Sequence, residues 1–182
     1  MEPRTLIGSL HYQRPAIHPD AWVAPGAVIV GSVTLGKAAS VWYGSVLRGD
    51  LDRIDVGAEC NIQDLCCIHV DPGEPATLED RVSLGHGAVV HGAYIETGAL
   101  VGIRAVVLGG ARVGAGTLVA AGAVVPPGTT LPPGVLAAGV PCRILRELTE
   151  SDRQIFAETA ERYVQHAAHH RTAAWADPAS ET

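Results

Sequence analysis

Aromatic side chains are nearly missing from this 182-residue sequence: one phenylalanine, three tryptophans and four tyrosines make up 4% of it. Large rings are therefore not what fills its interior. Basic residues are also few. Thirteen Lys and Arg stand against nineteen Asp and Glu, a net charge of −6, and no basic cluster offers a surface to nucleic acid or an anionic membrane. No apolar run is long enough to span a bilayer, and the first residues lack the basic, apolar and small-residue regions of a secretion signal. The expectation is a cytoplasmic protein with no membrane or nucleic-acid partner. Length and composition suit one compact domain.

What the sequence has in abundance is a short period. An aliphatic residue opens a unit of six at Ile17, Val23, Ile29, Leu35, Val41 and Leu47, then at Val56, Ile62 and Ile68, and then at Leu78, Leu84 and Val90. The series resumes at Ile95, Val101, Val107, Val113, Val119, Val125 and Leu131. No helical period explains this spacing. Repetition at a fixed short period marks a solenoid, whose units bury their apolar faces only by stacking on one another. The fifth position is usually small, as at Ala27, Ala39, Ser45, Ala88, Ala99 and Ala105, where a bending strand leaves little inward room. Cys60 and Cys66 occupy that same position and read as free, buried thiols.

The pattern resembles the left-handed parallel β-helix, with three hexads to a triangular coil, over about residues 15 to 142. The fold class expected is an all-β solenoid, with a lead-in and β-helix over 1–148, a C-terminal α-helix over 149–171 packed along it, and a tail over 172–182. The hexads fail at Pro132-Pro133. Thr149 and Asp152 have the spacing of a capping box, and Phe156, Ala160, Tyr163, Val164 and Ala167 recur at helical spacing behind it. The tail through Trp175, Pro178 and Thr182 reads as loosely held.

Three histidines interrupt the repeat. If Ile68 opens face A of one coil, Leu78 opens face B, Leu84 face C, and Val90 face A of the next coil. His69 and His91 are both second residues on face A, so they stack roughly 4.8 Å apart in backbone terms. His86 is a third residue on face C, and a coil edge is on the order of 15 to 20 Å. One chain cannot bring all three imidazoles to one ion, although three neutral nitrogens are what a catalytic zinc-type site requires. A closed ring of three chains, face A against face C, resolves the conflict. Treating Leu47 to Val56 as one lengthened hexad puts Arg48 in the His69 and His91 column and Asp64 one coil from His86. In such a ring Arg48 faces Asp64 of the neighbouring chain, while Asp50 can hold the guanidinium from its own chain.

Arg48-Gly49-Asp50, Asn61-Ile62-Gln63-Asp64, Ile68-His69-Val70, Gly85-His86 and Val90-His91-Gly92, in this order, resemble the gamma-class carbonic anhydrases. The resemblance implies a homotrimer with metal sites between subunits and His69, His86 and His91 as ligands. It also implies Gln63 as the residue orienting a hydroxide at the metal, and an interface network of Arg48, Asp50 and Asp64. Tyr163 resembles a tyrosine that some members place near the pocket. The implied reaction is reversible hydration of carbon dioxide to bicarbonate. Zn2+ is the first choice of metal, with Fe2+ or Co2+ open, since imidazole suits several. Leu51 stands where an active branch carries an acidic residue, and the insertion between Asp71 and Thr77 is short, so the chain resembles the shorter-loop bacterial branch.

Three other readings stay open: a hexapeptide-repeat acyltransferase using one histidine as base, a metal-dependent thioesterase, and a catalytically weak trimeric scaffold. By the same resemblance Arg104 stands where a glycine is expected; it lies one coil beyond His86 and is a candidate anion contact. His166, His169 and His170 have helical spacing and read as a solvated face without chemistry.

Overall fold

Three stacked columns of aliphatic side chains form the interior, each column running along one face of a parallel β-solenoid of about seven turns. The computed structural model describes residues 5–10 and 13–173, apart from the side chains of 155–157. Phe156 of the expected helical stripe, and the tail residues Trp175, Pro178 and Thr182, therefore lie outside the described part.

Each column is one hydrogen-bonded ladder. Ile29, Leu47, Ile68, Val90, Val107 and Val125 are in register on face A. Leu35, Val56, Leu78, Ile95, Val113 and Leu131 make face B. Val23, Val41, Ile62, Leu84, Val101 and Val119 make face C. From Ile29 onward every hexad-opening residue is buried, and the small fifth positions are buried with them, including Cys60 and Cys66, both free. A two-residue strand cannot hide an apolar side chain alone, so stability comes from coil on coil.

The corners have their own rule. The fourth residue of the hexad takes a left-handed backbone, and glycine does this at Gly44, Gly87, Gly98, Gly110, Gly116 and Gly122 among others. Without a Cβ it adopts that conformation without steric cost.

Face B carries satisfied charges: Arg112 Nε donates to Glu96 at 2.6 Å and the Tyr94 hydroxyl to Glu79 at 2.5 Å. Face C is partly covered by the helix Glu150–Arg171, α1. The expected capping box is present, with Thr149 accepting from Asp152 N and the Asp152 carboxylate accepting from Thr149 N. Helix α1 buries Ala160 and Ala167 and sets Tyr163 against Trp42 at 5.2 Å between ring centres. One expectation fails here. His170 is not part of a solvated face: its Nδ1 lies 2.7 Å from the Tyr43 hydroxyl, and its ring packs on Trp22 and Trp42 at 5.7 and 4.9 Å. The physical reason is position, because His170 continues the stripe of Tyr163 and Ala167 one turn further along the same helical face.

No helix among the described residues is long and apolar enough to cross a membrane.

Candidate metal centre

Two long strands carry the face A column round a corner, and their crossing is built on glycine. Val28–Leu35 and Val46–Val56 pair in parallel with a register shift after Gly31. A Cβ on Gly31, whose φ is +83°, would lie 2.1 Å from the Gly49 carbonyl oxygen. Only glycine permits that approach. Beyond Gly49 the chain bulges outward, and this bulge delivers the Asp50 carboxylate to the histidine of the following coil.

The register places Arg48 beside His69 and His69 beside His91, as the hexad count requires. His69 Nδ1 lies 3.1 Å from His91 Nε2, with ring centres 5.0 Å apart. On its far side His69 Nε2 is 3.0 Å from Asp50 Oδ1, and Asp50 Oδ2 accepts from Arg48 Nη1. His91 Nδ1 has Asp71 Oδ2 at 3.8 Å. Both inner nitrogens therefore face each other, while a carboxylate stands behind each ring. Burial pushes the Asp50 carboxyl upward, but hydrogen bonds from Arg48 and His69 outweigh it and hold it below its ordinary value. It stays ionised, and in the neutral tautomer that donates its Nε2–H to Asp50 the His69 Nδ1 lone pair turns toward His91.

His86 stands on face C. Its Nδ1 is 2.8 Å from Asp64 Oδ2 one coil back, and its Nε2 is 3.5 Å from the Tyr163 hydroxyl, so α1 brings Tyr163 to this half of the site. Burial first, and then the Asp64 charge, raise the Tyr163 pKa and keep the phenol protonated. Among the described residues, no three metal-ligating side chains of the one chain converge on a single point. His69 and His91 meet; His86 belongs to another face.

Gln63 is 6% exposed on face C, one residue before Asp64. Its Nε2 donates to Asn61 Oδ1 at 3.0 Å, and Asn61 Nδ2 donates to Ser83 Oγ at 2.7 Å. Asn61 and Ser83 are both buried, and α1 packs on the strand of Asn61. Sequence reasoning missed this pair, and also missed Asp71 behind His91. The available signal was polarity at Ser40, Asn61 and Ser83, just before hexad-opening residues, where later coils have Leu100 and Leu118.

Arg104 sits one coil beyond His86, its amide donating to the His86 carbonyl at 2.9 Å. Arg48 and Asp64, expected to face one another across a subunit junction, are each engaged within their own chain by Asp50 and His86.

The donor set fits a borderline divalent ion. Two imidazole nitrogens at about 2.05 Å from a tetrahedral ion lie roughly 3.3 Å apart, close to the 3.1 Å between His69 and His91. A carboxylate behind each ring is the outer arrangement that metal-binding histidines ordinarily carry.

No family model matches the chain. Over 148 residues it is 51% identical to the Methanocaldococcus jannaschii protein named "Probable carbonic anhydrase", covering 81% of this chain and 93% of that one. It is 42% identical to a carbonic anhydrase of Geobacillus kaustophilus, covering 83% of each. Gamma carbonic anhydrase 2 of Arabidopsis thaliana mitochondria is 38% identical over 88% of the chain, which spans 60% of that longer protein. Among solved structures, a Bacillus cereus protein provisionally called an acetyltransferase superposes with a TM-score of 0.92 at 34% identity, covering 93% of this chain and 98% of that one.

Proposed function

Because the chain belongs to the gamma-class carbonic anhydrase family of left-handed hexapeptide-repeat β-helices, we propose that it hydrates carbon dioxide reversibly at metal centres shared between the subunits of a homotrimer. The observation that carries the reading is the facing pair His69 Nδ1 and His91 Nε2, 3.1 Å apart and each backed by a carboxylate. The third ligand is His86 of the partner subunit, in which Asp64 holds Nδ1 and Nε2, 3.5 Å from the Tyr163 hydroxyl, is the nitrogen left to bind. A cyclic assembly satisfies this, since each face A then meets a face C. Zinc is the proposed ion, and iron(II) or cobalt(II) suits the same imidazoles.

When bound, such an ion lowers the pKa of a coordinated water to about 7. The remaining tasks belong to the protein. Asp50 and Asp64 fix the tautomers of His69 and His86 so that lone pairs point into the site. Gln63, with its amide nitrogen committed to Asn61, presents its carbonyl oxygen to the O–H of an attacking water and so orients it. Tyr163 closes the helix side of the pocket. Arg48 adds a contact to Asp64 of the partner subunit beside its own Asp50.

Metal content and a stopped-flow carbon dioxide assay on the full chain test the proposal together. Bound metal with hydration supports it. Metal without hydration would favour thioester hydrolysis or a scaffold; neither would leave acyl transfer or a scaffold.

A further inference from the structure

Among the described residues, five that are not glycine turn corners in the left-handed region: Ala38, Glu59, Leu65, Arg81 and Arg104, with φ between 55° and 62°. Any side chain pays for this conformation. Three of the five are charged, and two of those satisfy each other, Arg81 Nη1 donating to Glu59 at 2.7 Å. Arg104 is different. Among the described residues its guanidinium makes no hydrogen bond or ion pair, and the residue is exposed.

Its direction is recorded by the glycines above and below it. Arg104 Cγ lies 3.2 Å, and Nε 4.0 Å, from where a Cβ on Gly87 would stand, whereas the equivalent space at Gly122 is empty to 4 Å. The side chain leans back onto the coil of His86, the residue immediately before Gly87. Asp64, on the coil before His86, is already held by His86 Nδ1 at 2.8 Å. A free guanidinium at a strained corner therefore rests against the coil of a candidate ligand.

We propose that Arg104 receives small oxyanions at the mouth of the metal site, binding bicarbonate as it arrives or departs. The inference rests on the carbonic anhydrase reading. A guanidinium suits this class of ligand because its planar fork meets two oxygens of a carboxylate-like group at once, which an ammonium does not.

Wild type, Arg104→Gly and Arg104→Lys would be loaded with cobalt(II), and bicarbonate and thiocyanate affinities read from the visible spectrum, alongside bicarbonate dehydration kinetics. Glycine suits the corner, so Arg104→Gly folds and its thermal midpoint rises. Its affinity for bicarbonate should fall about tenfold, with the bicarbonate KM rising more than kcat falls, while thiocyanate, which has no pair of oxygens for the fork, should be affected less. Arg104→Lys should lie between the two. A higher midpoint with unchanged anion affinity in Arg104→Gly overturns the proposal while leaving the carbonic anhydrase reading intact. A wild type that takes up no metal and hydrates no carbon dioxide overturns both, and that failure shows before any variant is made.

Discussion

Replacing Asp50 by asparagine removes one negative charge from between Arg48 and His69 while keeping the shape of the side chain. In the metal-free protein two hydrogen bonds change, one to a guanidinium and one to an imidazole. Hydrogen bonds to charged groups contribute about 1.5–3 kcal/mol, but the Arg48 side chain is 46% exposed and solvent screens that half of the network. A loss of about 1 kcal/mol of folding stability is expected. The effect depends on pH in a defined sense. The folded carboxyl titrates below the ordinary value of 3.8, so its contribution is present above pH 3.8 and is lost as pH falls through the lower folded value. The difference between wild type and variant should stay constant from neutral pH to about pH 4 and shrink only in stronger acid. Metal affinity should fall roughly 10- to 100-fold, as when other outer partners of ligating histidines are removed. Chelator competition measures the second effect and urea unfolding across a pH series the first. Unchanged metal affinity in the Asp50→Asn variant would refute the assignment of Asp50 as the residue that orients His69.

The buried thiols Cys60 and Cys66 are pushed up to about 12, chiefly by burial, so neither should react with a thiol reagent at pH 8 until the protein unfolds, which mass spectrometry of labelled peptides would establish. Raised folded values mean that their contribution is whole below the ordinary thiol value of 9.0 and is lost as pH rises toward 12, so unfolding midpoints should drop across that alkaline window. The Tyr43→Phe substitution removes the hydrogen bond to His170 and should cost about 1 kcal/mol, seen as faster hydrogen exchange in the last turns of α1; unchanged exchange would show that the aromatic packing alone anchors the helix.

The solenoid is legible because its constraint is local and periodic. One buried aliphatic every six residues fixes each column, and the columns then dictate that Arg48, His69 and His91 align and that Asp64 lies beside His86. Side-chain partnership is less legible. The hexad count places Asp64 one coil from His86 but does not show that the two hydrogen-bond within the chain, since register says which backbones are adjacent and not which way a ring turns. His170 is misread from sequence for another reason. Helix α1 docks through Ala160, Tyr163 and Ala167, a face the apolar spacing shows, but that spacing stops at Ala167 and does not mark His170, which falls on the same face one turn further. Asn61 and Ser83 escape notice because polar residues at the edge of a strand ordinarily face water, and here both are buried and hydrogen-bonded to each other.

Each proposed metal site takes His69 and His91 from one chain and His86 from the next, and mixed reassembly tests that division most directly. His69→Ala and His86→Ala chains, unfolded and refolded together in equal amounts, should regain about one quarter of wild-type sites, because each junction has even odds at both faces. His69→Ala mixed with His91→Ala should regain none, since both losses fall on face A. Metal per trimer and hydration rate would be read after mixing, with subunit exchange confirmed by a mass label. Equal recovery in both mixtures, or none in either despite exchange, would contradict the shared site.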